Sequence, residues 1–136
     1  MKIMLDKGVE KIPSRAHPWD AGLDLFAAER KIIRANDFDV VETGTHAEIP
    51  CGYVGLLTSK SGLMAKGITC RGTIDCGYIG SIKAVLFNHG RKDYIVEKGD
   101  KVTQLVILPC LLPELELVDS LEETDRGDAG FGSTGR

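Results

Sequence analysis

Long apolar runs, a surplus of positive charge and paired cysteines are all missing from this 136-residue chain, and each absence removes a class of function. The longest apolar stretches, such as Leu105 to Cys110, are far too short to cross a bilayer. Charges interrupt the N-terminal MKIMLDKG, so no secretion-signal core is visible; a cytoplasmic location and no membrane partner are expected. A formal net charge of −3 leaves no broad basic surface, so polymeric nucleic acid is not an expected partner. A small anionic ligand stays open, because it needs only a local cluster of donors. The four cysteines, at 51, 70, 76 and 110, fit neither C-x-x-C metal spacing nor a dense disulfide framework. They read as free thiols in a reducing compartment. There is no Ser-His-Asp or Cys-His arrangement, and His17, His46 and His89 are scattered in expected loops, where they read as surface residues.

What is present is a chain of 14.7 kDa with 43% hydrophobic residues, enough for one domain with a real core. Sixteen glycines and many short β-branched runs point to an all-β fold. Strands are expected at 2–6, 23–27, 31–34, 37–42, 47–49, 53–58, 68–75, 81–88, 94–97, 101–108 and 114–117. Turn chemistry at Thr43-Gly44, Pro50-Cys51-Gly52, His89-Gly90 and Lys98-Gly99-Asp100 punctuates them. So many short strands suggest a jelly-roll-like β-barrel. One helical turn fits Ser61 to Gly67, with Ser61 as cap and Gly67 as stop. Residues 1–118 are expected to form the barrel domain. Residues 119–136, acidic and then glycine-rich, are expected to be a flexible C-terminal arm.

Five stretches could carry chemistry. GTIDCGYIGSIKAVLFN, residues 72–88, reads as a hairpin with one acid, Asp75, and one ring, Tyr78, at its bend. The acid could cap a turn and the ring pack on a strand. Alternatively, Asp75 is a general base, Tyr78 a platform for a sugar or base, and the backbone a reader of a base edge. In AGLDLFAA, Asp24 could bond to backbone or stand near a hydrated magnesium, which keeps much of its water. In TSKSGL, Lys60 and Ser61 at a helix start suit an anion, though a plain N-cap is equally consistent. In KGDKVTQLVIL, Gln104 is the polar member of an apolar face and needs a partner. That strand is apolar on both faces, which hints at a subunit interface. In the tail, Arg126, Phe131, Ser133 and Thr134 offer a cation, a ring and two hydroxyls, suitable for closing over a nucleotide.

In this order the five stretches resemble the motifs of the trimeric dUTPase family: AGLDLFAA at 21–28, SKSGL at 59–63, residues 72–88, KGDKVTQLVIL at 98–108 and RGDAGFGSTG at 126–135. The resemblance implies a β-barrel homotrimer with active sites shared between subunits, hydrolysing dUTP to dUMP and pyrophosphate with Mg2+. It implies that Asp75 deprotonates the attacking water, that Asp24 holds the magnesium through water, and that Tyr78 packs against deoxyribose. Gly72, Ile74 and Lys83 fall among the hairpin's substrate-binding positions, with the backbone reading uracil. Lys60, Ser61, Gly62 and Gln104 are implied on the phosphates. Phe131 is implied over uracil, and Arg126, Gly132, Ser133 and Thr134 on the phosphates from another subunit. The chain departs from the family pattern at Lys60, where arginine is common, at Gly77, where an acid is common, and at Thr103, where alanine is common. The related dCTP deaminases are the alternative, but their second strand carries a glutamate where this chain has Val85. A nucleotide-gated binding protein with a regulatory partner, on the same fold, is a second alternative; a carbohydrate-binding jelly roll is a distant third.

Overall fold

The computed structural model describes residues 1–128. Among them are nine strands and one short helix: β1 Lys2–Leu5, β2 Gly22–Phe26, β3 Lys31–Ile33, β4 Asp37–Glu48, β5 Tyr53–Thr58, α1 Ser61–Met64, β6 Ile68–Ile74, β7 Ile82–Asn88, β8 Tyr94–Val96 and β9 Lys101–Pro109. Seven strands form one antiparallel sheet in the order β1-β4-β7-β6-β5-β9-β2, and β3 pairs with β8 in a separate ribbon. Alternation selects the inner face. In β7, Ile82, Ala84, Leu86 and Asn88 are buried while Lys83 and Phe87 point outward. The sheet curls so that Leu25, Val41, Leu57, Ile68, Ile82 and Leu105 meet in one core, with Ile33 and Val96 of the ribbon closing over it. Buried Asn88 joins the layers: its amide donates to the carbonyls of Ile33 at 3.0 Å and Lys92 at 2.9 Å, and its oxygen accepts from Gly90 N–H at 2.9 Å.

Several sequence expectations need correction. Thr43-Gly44 is not a turn between two strands but a bulge inside one twelve-residue strand, with a register slip between Glu42, opposite Lys83, and Thr45, opposite Ile82. Turn residues and bulge residues are chosen by the same backbone freedom, and Gly44 here has φ +58°. Thr43 turns its hydroxyl inward and donates to the Ile82 carbonyl at 2.6 Å. Residues 114–117 form no strand, and Leu115 and Leu117 are exposed; among the described residues no strand supplies them a hydrogen-bonded edge. The helix begins at Ser61, so Lys60 takes the cap position, and no side chain caps it. Gly67, at φ +78°, does end that segment. His46 is half-buried within β4 rather than in a loop. In β9 one face, Thr103 and Leu105, is buried, but the other opens progressively from Val102 through Gln104 and Val106 to exposed Leu108.

The most consequential difference concerns the hairpin of β6 and β7. The strands pair only at their far ends, Ile68 to Cys70 against Asn88 to Leu86. Beyond Cys70, β6 turns to a different neighbour and pairs Arg71 to Ile74 with Thr58 to Gly55 of β5. Near the bend the two strands therefore splay apart.

Replacing Gly44 by alanine should cost about 1–2 kcal/mol from the left-handed backbone, with a further loss because the new Cβ would lie 2.5 Å from a Val9 methyl. A lower urea midpoint at unchanged slope is the expected result.

Candidate active site

The splay between β6 and β7 opens a cavity of about 250 Å³ lined by Thr73, Ile74, Asp75, Tyr78 and Lys83. Asp75 is exposed at the end of β6, and its carbonyl accepts the Tyr78 N–H at 3.2 Å, closing a turn through Gly77 at φ +86°. Tyr78 folds back over the loop: its hydroxyl donates to the Ser81 carbonyl at 3.0 Å, and its ring occupies the space that a Cβ on Gly80 would need. The residue remains 43% exposed, so the ring is fixed at its tip while part of it stays open to a ligand. The Ser81 hydroxyl is buried and unpartnered at the root of the same loop. Lys83 reaches the Glu42 carboxylate at 2.7 Å, a contact that raises its pKa. Gly72 lies opposite Leu57 on the part of β6 that has left β7. Cys76, beside Asp75, is no candidate nucleophile. The neighbouring Cys51 thiol, above all, pushes its pKa up and keeps it protonated.

A second cluster centres on Asp24, whose carboxylate is only 5% exposed. Its two oxygens take two ammonium groups, Lys60 on Oδ1 and Lys101 on Oδ2 at 2.7 Å. Burial alone would raise the carboxyl's pKa, but the bonds and charge of Lys101 and Lys60 outweigh it and hold the pKa below its ordinary value. Lys60 is presented by a locked loop: Ser59 Oγ donates to the Cys70 carbonyl at 3.0 Å and accepts the Cys70 N–H at 2.7 Å. Gln104, opposite both Asp24 and Thr58, finds its partner in the Ser59 carbonyl, at a long 3.4 Å, with its side chain lying over Gly22. Ser61 and Gly62 are exposed, and a Cβ on Gly62 would meet nothing within 4 Å. Lys101, which the sequence reading passed over, joins this cluster. A register irregularity between Leu25 and Phe26 sets it opposite Phe26, on the Asp24 face.

Among the described residues the fit to magnesium rests on a single carboxylate, Asp24. No group of three or more His, Cys, Asp or Glu side chains among the described residues could hold a metal ion. Asp24, with two ammonium contacts, still has acceptor positions left, since a carboxylate offers about four. It suits a water-mediated contact to a hydrated cation carried by phosphates.

The two clusters do not meet within one chain. Thr58 pairs with Arg71 at one end of the β5–β6 ladder, and Lys60 lies just beyond it. Gly55 pairs with Ile74 at the other end, and Asp75 lies beyond that. About six residues of strand separate them, roughly 20 Å along the strand. Arg126 stands in a turn closed by Gly127 N–H on the Thr124 carbonyl at 2.9 Å. Phe131, Gly132, Ser133 and Thr134 lie outside the described residues.

Comparison with known proteins gives a consistent result. The sequence profile of the dUTPase family matches residues 10–135. A deoxyuridine 5'-triphosphate nucleotidohydrolase of Clostridium tetani is 44% identical over 140 residues, covering 100% of this chain and 97% of the relative. Among solved structures, a variant dUTPase of Staphylococcus bacteriophage 80alpha with dUpNHpp superimposes with a TM-score of 0.92 at 32% identity, covering 99% of this chain and 98% of that one. A variant dUTPase from phage phi11 of S. aureus, described as revealing the coordination of a structural Mg(II) ion, gives 0.82 at 31% identity, covering 90% and 98%.

Asp24→Asn should destabilise the chain at neutral pH by roughly 1–3 kcal/mol, leaving two ammonium groups short of a partner. Because the folded pKa is depressed, this contribution is present above the unfolded value, about 3.9, and fades as pH falls through the folded one. Urea unfolding across acid pH should show the wild-type advantage shrinking toward zero.

Proposed function

The chain belongs to the dUTPase family, and we propose that it hydrolyses dUTP to dUMP and pyrophosphate by an Asp75-activated water. The observation that carries this reading is the open hairpin end, where Asp75, the partly free Tyr78 ring and the unpaired edge of β6 line one cavity. Asp75 takes a proton from a water, whose oxygen attacks the α-phosphorus as the bond to the bridging oxygen breaks and pyrophosphate leaves. Positioning supplies much of the rate, and general-base help adds about 10²–10⁴-fold. Tyr78 provides the surface for deoxyribose, and a 2′-hydroxyl finds no room beside it. The splayed edge from Gly72 to Ile74 offers N–H and C=O groups to uracil, and Lys83 stands at the rim. Deamination is not favoured, since the position its chemistry would need as an acid is Val85.

Lys60, Ser61, Gly62 and Gln104 bind the phosphates; Lys60 exchanges part of its hold on Asp24 for the ligand. Asp24 would hold a magnesium ion through water, and the ion would supply neutralisation of the charge on the leaving pyrophosphate. The separation of the two clusters supports a site shared between copies, because a triphosphate does not bridge the length of the ladder, and the assembly proposed is the family's homotrimer. A second copy brings its Lys60 cluster to the first copy's Asp75 hairpin. The open Val106–Leu108 end of β9 supplies apolar surface for that contact. Residues 1–118 form the catalytic barrel, and residues 119–136 form an arm. It closes the shared site with Phe131 over uracil and Arg126, Gly132, Ser133 and Thr134 on the phosphates. The activity limits uracil in DNA and supplies dUMP for thymidylate synthesis. Among the described residues no helix is long and apolar enough to cross a membrane.

Asp75→Asn should retain nucleotide binding and lower turnover by about 10²–10⁴-fold, read as pyrophosphate release; near-normal turnover overturns the assignment. Sedimentation should give a trimer mass. Mixing Asp75→Asn with Gln104→Ala chains, after dissociation and reassembly, should give more activity than either variant alone, since some hybrid sites receive two intact halves. A monomer, or no gain on mixing, would remove the shared site.

A further inference from the structure

The loop that carries Tyr78 is held mostly by bonds internal to itself, from Tyr78 N–H to the Asp75 carbonyl and from the Tyr78 hydroxyl to the Ser81 carbonyl. Ile79 at its middle is exposed and has no core packing. His46 reaches it from β4. The ring's Nδ1 lies 2.7 Å from the Ile79 carbonyl oxygen, and Nε2 lies 3.0 Å from Asp6 Oδ1, just past β1. A carbonyl oxygen only accepts, and so does an ionised carboxylate; a neutral imidazole has a single N–H. Both bonds are therefore made together only by the imidazolium. The His46 side chain is 17% exposed, which limits competition from water.

We propose that His46 is a positioning residue for the substrate-reading loop, its imidazolium tying the Ile79 carbonyl to Asp6 and so holding Tyr78, one residue away, at the mouth of the cavity. The inference rests on the reading of that loop given above and names what fixes it. The neighbouring charges are Lys2 and Asp6 at β1, Glu42 and Glu48 on β4, Lys83 on β7 and Asp75 across the loop. Lys2 pairs with Glu48 at 2.9 Å and Lys83 with Glu42 at 2.7 Å, which leaves Asp6 as the charge in contact with the ring. The Ile79 carbonyl first, and Asp6 second, raise the His46 pKa, against the opposing effect of burial. With a raised folded pKa, the clamp is complete below the ordinary histidine value and is lost as pH rises through the folded one.

The test is steady-state kinetics on dUTP from about pH 5.5 to about pH 9, for wild type, His46→Ala, His46→Gln, Asp6→Asn and Tyr78→Ala, with thermal melts as folding controls. Below the transition His46→Ala should raise KM about fivefold, the effect of one net hydrogen bond, with kcat nearly unchanged. Wild-type KM should climb toward the variant's as pH rises. His46→Gln, whose amide can still donate, should recover most of the loss and show no such climb. Asp6→Asn should move the wild-type transition to lower pH. If the alanine variant unfolds, the glutamine and Asp6 variants carry the test. An unchanged transition in both overturns the inference. So does a wild-type KM profile in His46→Ala while Tyr78→Ala discriminates poorly between dUTP and UTP, and in that case the loop's role stands. If Tyr78→Ala also discriminates normally, the reading of the loop falls with it.

Discussion

Strand β6 changes partners halfway along its length, and most of what the molecule offers a ligand depends on that change. Its first residues bond to β7 and its last to β5, so the chain cannot close the hairpin as a flat ribbon. Each residue of a strand inside a sheet normally spends its N–H and C=O on neighbours. Here the segment from Arg71 to Ile74 turns one edge to β5 and leaves the other toward the gap. The gap has directed hydrogen-bonding groups on its wall and a carboxylate at its rim, a combination that a continuous ladder would have consumed.

Electrostatics follows the same logic of groups held ready. The chain carries a net negative charge, yet the cations near its candidate anion site are concentrated by buried or half-buried carboxylates. Asp24 gathers Lys60 and Lys101, and Glu42 orients Lys83 at the rim of the cavity. A lysine with a carboxylate partner loses less side-chain freedom when a phosphate replaces part of that contact. The family's more common arginine at position 60 would present a planar fork. Lysine presents a point charge that a buried acid must aim.

Much of the fold was legible along the chain because strands have a local signature. The β-branched runs of β7 and β9 and the turn chemistry at Lys98-Gly99-Asp100 correspond to observed elements. Two local signals misled for physical reasons. Glycine after threonine marks a backbone that can leave the β region, and the bulge at Thr43-Gly44 uses that freedom without reversing the chain. The alternating PELEL at 113–117 has strand character, but a strand exists only against a partner, and no edge among the described residues takes it. Candidate site residues were legible where a motif carries them, as with Asp24, Lys60, Asp75 and Tyr78, which the fold sorts into two clusters. They were hidden where a register shift moves them: strict alternation groups Lys101 with Thr103, and only the irregular pairing with β2 brings it to the Asp24 face.

By itself the amino-acid sequence determined the class of fold, most of its strands and the chemical inventory of five motifs, since these follow from side-chain period, backbone freedom and residue type. Tertiary structure alone decided which strands exchange hydrogen bonds. It thereby decided that the hairpin opens, that Lys60 and Lys101 converge on one acid, that His46 leaves the surface to hold a loop, and that Asp75 and Lys60 stand at opposite ends of a ladder. The reason is that pairing partners are chosen by the path of the whole chain through space, and residues far apart in sequence carry no local mark of being neighbours.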